Sequence, residues 1–260
     1  MQEIQNLIPN IPDAVPSSGN FSEDITDFEV RIYNEREGNL SGFPCGTCKN
    51  KGYVAFRKEN EMMLRECDCM KVRRAMEVIN ESGLERQLCE CTFDSYEVSE
   101  PWQKQLKSAA ENFARSDALG FFIGGQTGCG KTHLCTAIVG KMIKRGMAVR
   151  YFVWREDSTV LKSLVNDPEY LHLMQAYKQT DCLYIDDLFK QEEIRDADIR
   201  LAFELIDYRC RNRKKTIIST ELTEEHLIRT DEALAGRIFQ MSKGFRLTIP
   251  KDRRKNYRLR

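Results

Sequence analysis

The segment Gly124-Gly125-Gln126-Thr127-Gly128-Cys129-Gly130-Lys131-Thr132 constrains this 260-residue chain more than any other feature. It fits Gly-x-x-x-x-Gly-Lys-Thr. It stands between an apolar run ending at Ile123 and an amphipathic stretch carrying Leu134, Ala137 and Ile138, so it reads as the turn between a buried strand and a helix. Glycines there let backbone N–H groups converge on phosphate oxygens, which side chains would obstruct, and the helix N-terminus adds favourable partial charge. Gly125, Gln126, Thr127, Gly128, Cys129 and Gly130 are therefore expected to surround the phosphates of a nucleoside triphosphate. Lys131 is expected to hold the β and γ phosphates, and Thr132 to offer its hydroxyl to Mg²⁺. Cys129 needs no role beyond that of a small loop residue, and His133 is expected to pack on its helix.

From about Trp102 onward, apolar runs alternate with helical patterns. Leu119 to Ile123, Ala148 to Val153, Cys182 to Ile185, Thr216 to Ser219 and Phe245 to Ile249 read as strands. Lys131 to Arg145, Ala197 to Arg211 and Glu224 to Gln240 read as helical, and Ser158 to Lys178 as one or two helices interrupted at Pro168. Strands spaced by helices predict a parallel sheet covered on both faces. The run Leu183-Tyr184-Ile185-Asp186-Asp187 places two acids at a strand end. Alone it could be a capping pair. After a phosphate loop, Asp186 is expected to complete the Mg²⁺ shell through water and Asp187 to polarise the attacking water as a base. Hydrolysis also needs positive charge on the transferring phosphoryl, and Arg237, late in a predicted helix, is placed where it could face a neighbouring subunit.

Upstream, Cys45-Gly46-Thr47-Cys48 and Cys67-Asp68-Cys69 are separated by eighteen residues. Two close pairs on facing turns, joined by a β-like segment, predict a tetrahedral Zn²⁺ site of Cys45, Cys48, Cys67 and Cys69. The alternatives are free buried thiols, or participation of the nearby pair Cys89 and Cys91. Cys135, Cys182 and Cys210 read as small apolar core residues. The expected organisation is an acidic N-terminal arm over 1–43, in which Phe21 to Tyr33 is apolar enough for a helix, and a zinc-binding module with its following helix over 44–88. A linker over 89–101 and a nucleotide-binding domain over 102–260 complete it. Forty basic residues balance forty acidic ones, so contact with nucleic acid must come from local charge such as Lys71, Arg73 and Arg74, or the cluster from Lys251 to Arg260. Ten cysteines are too few for a disulfide scaffold. With no apolar run long enough to span a bilayer and no signal-peptide pattern, a cytoplasmic, membrane-free protein is expected.

Taken in order, these parts resemble the DnaC/DnaI-type replicative helicase loaders, a branch of the AAA+ ATPases related to IstB-like ATP-binding proteins. The resemblance is carried by Cys45-x-x-Cys48 with Gly52-Tyr53, Cys67-Asp68-Cys69, Thr92-Phe93-Asp94-Ser95-Tyr96, the phosphate loop, Leu183 to Asp187, Thr216 to Thr220, and Ala235-Gly236-Arg237-Ile238. It implies an α/β P-loop AAA+ (ASCE) fold with a parallel five-stranded sheet between helices. A small zinc-ribbon-like module would precede that fold, and the C-terminal lid would be reduced. It also implies that Arg237 is an arginine finger acting in trans, that Phe93 and Tyr96 lie near adenine, and that Thr220 matches the sensor position, with Ser219 and Glu221 as alternatives. By the same resemblance, the chain is an ATPase using ATP, Mg²⁺ and Zn²⁺, weak until it self-associates. It would load a hexameric replicative helicase onto single-stranded DNA. A transposition helper ATPase of the IstB type and a non-hydrolysing zinc-dependent nucleic-acid adapter are the competing readings.

Overall fold

The computed structural model describes residues 24–41, 44–81, 85–190 and 193–259. Residues 1–23 of the expected arm, Leu84 and Arg260 lie outside them. Beyond Trp102 the chain builds the expected sheet: β3 (Gly120–Gly125), β4 (Val149–Val153), β5 (Cys182–Leu188), β6 (Lys215–Thr220) and β7 (Arg246–Ile249) pair in the order β4-β5-β6-β3-β7, all parallel. Alternating residues of the buried strands divide between two cores. Phe121, Ile123, Tyr184 and Ile217 face helices α4 (Pro101–Arg115) and α5 (Lys131–Lys144). Phe122, Phe152, Leu183, Ile185 and Ile218 face α6 (Trp154–Ser163), α7 (Pro168–Gln179), α8 (Asp196–Arg211), α9 (Glu224–Thr230) and α10 (Glu232–Met241). Because β3 is followed in sequence by the far-edge strand β4, the sheet reverses direction at β3. The crevice at such a switch point, outside the strands' C-terminal ends, is where α/β sheets bind ligands.

Helix boundaries follow local hydrogen bonding. Pro168 opens α7 behind Asp167, whose carboxylate caps Glu169 N–H, so the expected interruption separates two helices. The first begins at Trp154, four residues early, directly off β4, because Asp157 accepts the Val153 N–H at 2.6 Å. The single helical stretch expected from Glu224 to Gln240 is broken at Asp231, which caps α10 through the Leu234 N–H.

The cysteine module is a β-ribbon, β1 (Tyr53–Lys58) antiparallel to β2 (Glu61–Glu66), followed by α2 (Cys69–Glu81), which packs against β4 and α5, and by the short α3 (Glu85–Glu90). The expected arm needs correction here: α1 (Ile25–Glu35) belongs to the ribbon. The Asn34 side chain donates to Ala55 O and accepts from Ala55 N–H, both at 2.9 Å, which pairs the free edge of β1 as a strand would. Asp24 and Asp27, counted as arm charge in the sequence, are ion partners of Arg57 at 2.7 and 2.8 Å.

The sheet's N-terminal end is tied by Arg209 of α8, which is wholly buried. Its guanidinium donates to the carbonyls of Tyr177, Lys178, Thr180 and Lys215 and to Thr216 Oγ1. Burial lowers its pKa to about 10, still protonated at neutral pH. Arg209→Ala strands those carbonyls and is expected to cost about 3 kcal/mol, the range for lost hydrogen bonds to a charged donor, read as a lower denaturation midpoint at unchanged slope. Arg209→Lys recovers little, since an ammonium cannot span the fork.

Candidate functional site

The loop after β3 wraps into a cradle because three of its glycines adopt positive φ, 101° at Gly125, 70° at Gly128 and 88° at Gly130. Side chains there would also collide. A Cβ on Gly125 would sit 2.0 Å from Ile249 O, and one on Gly130 2.8 Å from the Tyr96 ring. Lys131, the first residue of α5, is buried and donates to the carbonyls of Gly125 and Gln126 at 2.9 and 2.7 Å. Its ammonium thus lies inside the loop that a triphosphate would fill.

Asp186 collects four hydroxyls. Tyr151 and Tyr184 donate to it at 2.6 Å, Ser219 at 2.5 Å and Thr132 at 3.3 Å. The Thr132 to Asp186 contact joins the predicted Mg²⁺ pair across the loop. Asp187 turns the other way. Its backbone takes φ of 54° at a bulge in β5, a left-handed conformation that Asp tolerates better than most residues, and the side chain enters the cavity. Its N–H donates to Ser219 Oγ, while its carboxylate accepts Lys190 Nζ at 2.6 Å, and that same amine reaches Glu221 at 3.3 Å. Burial pushes the Asp187 carboxyl above the usual carboxylate range against the opposing pull of Lys190.

A cavity of about 480 Å³ opens over the loop, within the range of small-ligand sites. Thr127 to His133, Asp187, Lys190 and Glu221 line its phosphate side. The segment expected to be only a linker forms another wall. Ser95, Tyr96 and Glu97 line it, held there by His133, whose Nε2 lies 2.8 Å from Thr92 O, and by Gln103, which caps the 97–100 turn. Phe93 is buried in the core behind that wall. The C-terminal turn completes the cavity with Tyr257 and Arg258. Tyr257 N–H donates to Gly128 O, and its hydroxyl lies 2.9 Å from that of Ser99. Sequence reasoning missed Lys190, Gln103, Tyr257 and Arg258, none of which stands in a motif.

Of the sensor candidates, Ser219 bridges Asp186 and Asp187, and Glu221 lines the cavity. The Thr220 hydroxyl is buried, donating to Leu188 O and accepting from Leu222 N–H, so the structure does not bring it to the cavity. Arg237 does not reach this cavity either. It lies on α10, half exposed, with Nε bonded to Asp207 at 2.8 Å.

Cys45, Cys48, Cys67 and Cys69 are buried together, with all four sulfurs within 4.8 Å of one another; Cys45 and Cys67 are 3.9 Å apart, Cys48 and Cys69 3.5 Å. Four sulfurs about 2.3 Å from a tetrahedral zinc lie roughly 3.8 Å apart, so the set fits that ion. The turn after Cys48 passes through left-handed Lys49, Asn50 and Gly52, which aims the Gly52 N–H at Cys48 Sγ, 3.4 Å away. Burial pushes the Cys48 thiol up, but this N–H and the neighbouring thiols outweigh it and lower it to about 7. Burial dominates at Cys67, which rises to about 11. Cys89 and Cys91 stand outside the cluster, and Cys91 instead lines the nucleotide cavity.

Sheet order, loop and acid pair define a P-loop ATP-binding protein of the AAA+ class. A family model described as IstB-like ATP binding protein matches residues 47–240, and the chain belongs to that family. Phage-like element PBSX protein XkdC of Bacillus subtilis is 29% identical over 235 residues, covering 82% of this chain and 85% of that protein. The replicative helicase loader DnaC of Buchnera aphidicola (subspecies Schizaphis graminum) is 25% identical over 197 residues, covering 74% of this chain and 71% of that protein. A crystal structure of the DnaC helicase loader shares the fold with a TM-score of 0.52 at 24% identity, over 65% of this chain and 99% of that one. Among the described residues, no helix is long and apolar enough to cross a membrane.

Two outcomes are expected. The purified chain carries one Zn²⁺ per molecule by metal analysis, and Cys48→Ser loses both the metal and the protease resistance of residues 44–81. Tyr96→Phe weakens ATP binding several-fold in a titration without shifting the melting temperature, because the buried Tyr96 hydroxyl has no hydrogen-bond partner to lose among the described residues.

Proposed function

We propose that this chain is an ATP-dependent loader that binds a hexameric replicative helicase and delivers it onto single-stranded DNA, hydrolysing ATP at seams between its own subunits. The observation that carries the reading is a division of labour. The phosphate loop, Thr132 and Asp187 line one cavity, with Asp186 behind Thr132, while Arg237 stands outside it, on α10 beside Asp207. Such an arginine serves a phosphoryl transfer only from a neighbouring copy. The names of the DnaC relatives, and a zinc ribbon fused ahead of the ATPase fold, support a loader over the IstB-type transposition helper and over a non-hydrolysing adapter.

Lys131 exchanges its loop carbonyls for phosphate oxygens, and backbone N–H groups from Thr127 to Lys131 orient the polyphosphate. Thr132 and, through water, Asp186 would hold Mg²⁺, which when bound would supply charge neutralisation on the phosphates. Asp187 orients the attacking water and accepts its proton, while Ser219 fixes the spacing of the two acids from β6. Glu221 faces the same cavity, whereas the Thr220 hydroxyl is engaged by backbone partners. Arg258 gives the cavity a cation in cis, and Arg237 gives the γ-phosphoryl one in trans. Turnover is accordingly slow in the isolated chain and rises on self-association. The zinc ribbon meets the helicase, and the ATPase domain meets DNA.

Arg237→Ala is expected to lower turnover by about 10³ in the assembled state, the scale of a lost arginine finger, with nucleotide affinity of the isolated chain unchanged. The helicase, and not a transposase, should co-purify with the chain from native cells in the presence of an ATP analogue and Mg²⁺; recovery of a transposase would favour the helper reading. Because a base works only when deprotonated, the raised Asp187 pKa places the acid limb of turnover above the usual carboxylate range, with activity falling as pH drops through it. Asp187→Asn should lose both the limb and most of the rate.

A further inference from the structure

Asp207 lies on α8 near its end, and its carboxylate is buried although both groups that it binds are solvent-facing. Oδ1 accepts Nε of Arg237 at 2.8 Å across the contact between α8 and α10, and Oδ2 accepts Nη2 of Arg211 at 2.5 Å along its own helix. The side chain of Asp207 is 9% exposed, against 42% for Arg237 and 72% for Arg211, so the pair is no ordinary surface bridge. The hydrogen bond from the Arg237 guanidinium holds the Asp207 carboxyl below its ordinary value, with Arg211 adding to the effect.

The atom used matters. A guanidinium bound through Nε keeps its two Nη atoms for another partner, and those two form the fork that matches phosphate oxygens. Among the described residues, Arg237 Nη1 and Nη2 make no hydrogen bond. Buried Leu234, Ala235 and Ile238 fix the α10 backbone beneath, while Gly236, next to Arg237, faces open space on the same helix. An arginine free to rotate must be ordered when it meets the transferring phosphoryl. One whose plane is already set by a buried carboxylate avoids that cost, and a misplacement of about 1 Å can slow a reaction about 10²-fold.

We infer that Asp207 is a positioning residue for Arg237, holding the guanidinium by Nε so that its Nη fork is presented to the nucleotide of the neighbouring subunit. The inference rests on the reading that Arg237 acts in trans. The test is steady-state ATPase activity of the assembled full chain, with Mg²⁺ and a single-stranded oligonucleotide, for Asp207→Asn, Arg237→Ala and the double variant. Asp207→Asn is expected to lower kcat about 10- to 100-fold, leaving KM and the melting temperature in place, and the double variant to be no slower than Arg237→Ala.

Mixing supplies a readout that a staple between α8 and α10 would not move. Lys131→Ala subunits lack a working phosphate site but keep Asp207 and Arg237, so adding them to Asp207→Asn subunits should raise turnover per intact phosphate site. Asp207→Glu, which keeps the carboxylate, should recover part of the rate alone. A lowered melting temperature with kcat retained, or no gain on mixing, overturns the inference. Should Asp207→Asn not fold, Asp207→Ser is read by the same criteria. If Arg237→Ala itself has no effect, the trans reading fails; if it slows turnover and Asp207→Asn does not, only the role of Asp207 fails.

Discussion

The ATPase fold turns on one buried carboxylate. Asp186 lies in β5, between the edge strand β4 and the central strand β6, and is met by hydroxyls from β4, β5, β6 and α5, so one carboxylate registers three strands against the helix that begins in the phosphate loop. A buried anion is costly unless its lone pairs are satisfied, and here neutral donors satisfy them without adding a competing cation. Ser219 extends the arrangement, since the oxygen that donates to Asp186 also accepts the Asp187 N–H, coupling the two acids through β6.

The second constraint is that the nucleotide cavity is closed from both ends of the chain. The segment from Thr92 to Gln103 and the turn at Tyr257 and Arg258 meet over Gly128 and Gly130, and the two glycines admit them by lacking side chains. A glycine-rich loop thus has two functions here, exposing N–H groups to phosphate and letting distant segments approach. The four-cysteine ribbon is joined to this assembly through α2, which covers the edge strand β4 and contacts the phosphate-loop helix. Whatever the ribbon binds has a short mechanical route to the nucleotide.

Much of this was readable in the residues. The phosphate loop, the strand-end acids, the five strands and the four clustered cysteines are local patterns, set by spacing, periodicity and backbone requirements that a linear string records. The errors were also local in kind. Helix α1 lies in the stretch whose acidic composition reads as an arm, whereas Asn34 and Asp24 find partners on β1 that no periodicity reveals. The break at Asp231 was missed because a capping aspartate inside an apolar pattern looks like an exposed helical residue.

The sequence by itself determined which groups are available: a glycine loop suited to phosphate, two acids beside it on β5, and two close pairs of thiols. Tertiary structure alone decided which residues share a site. It brought Lys190, Tyr257 and Arg258 to the cavity, took the Thr220 hydroxyl away to backbone partners, and left Arg237 outside the cavity beside Asp207. The reason is physical. A motif encodes what one turn of backbone does, whereas a hydrogen bond between residues far apart in the chain depends on where packing of the whole sheet and its helices places them.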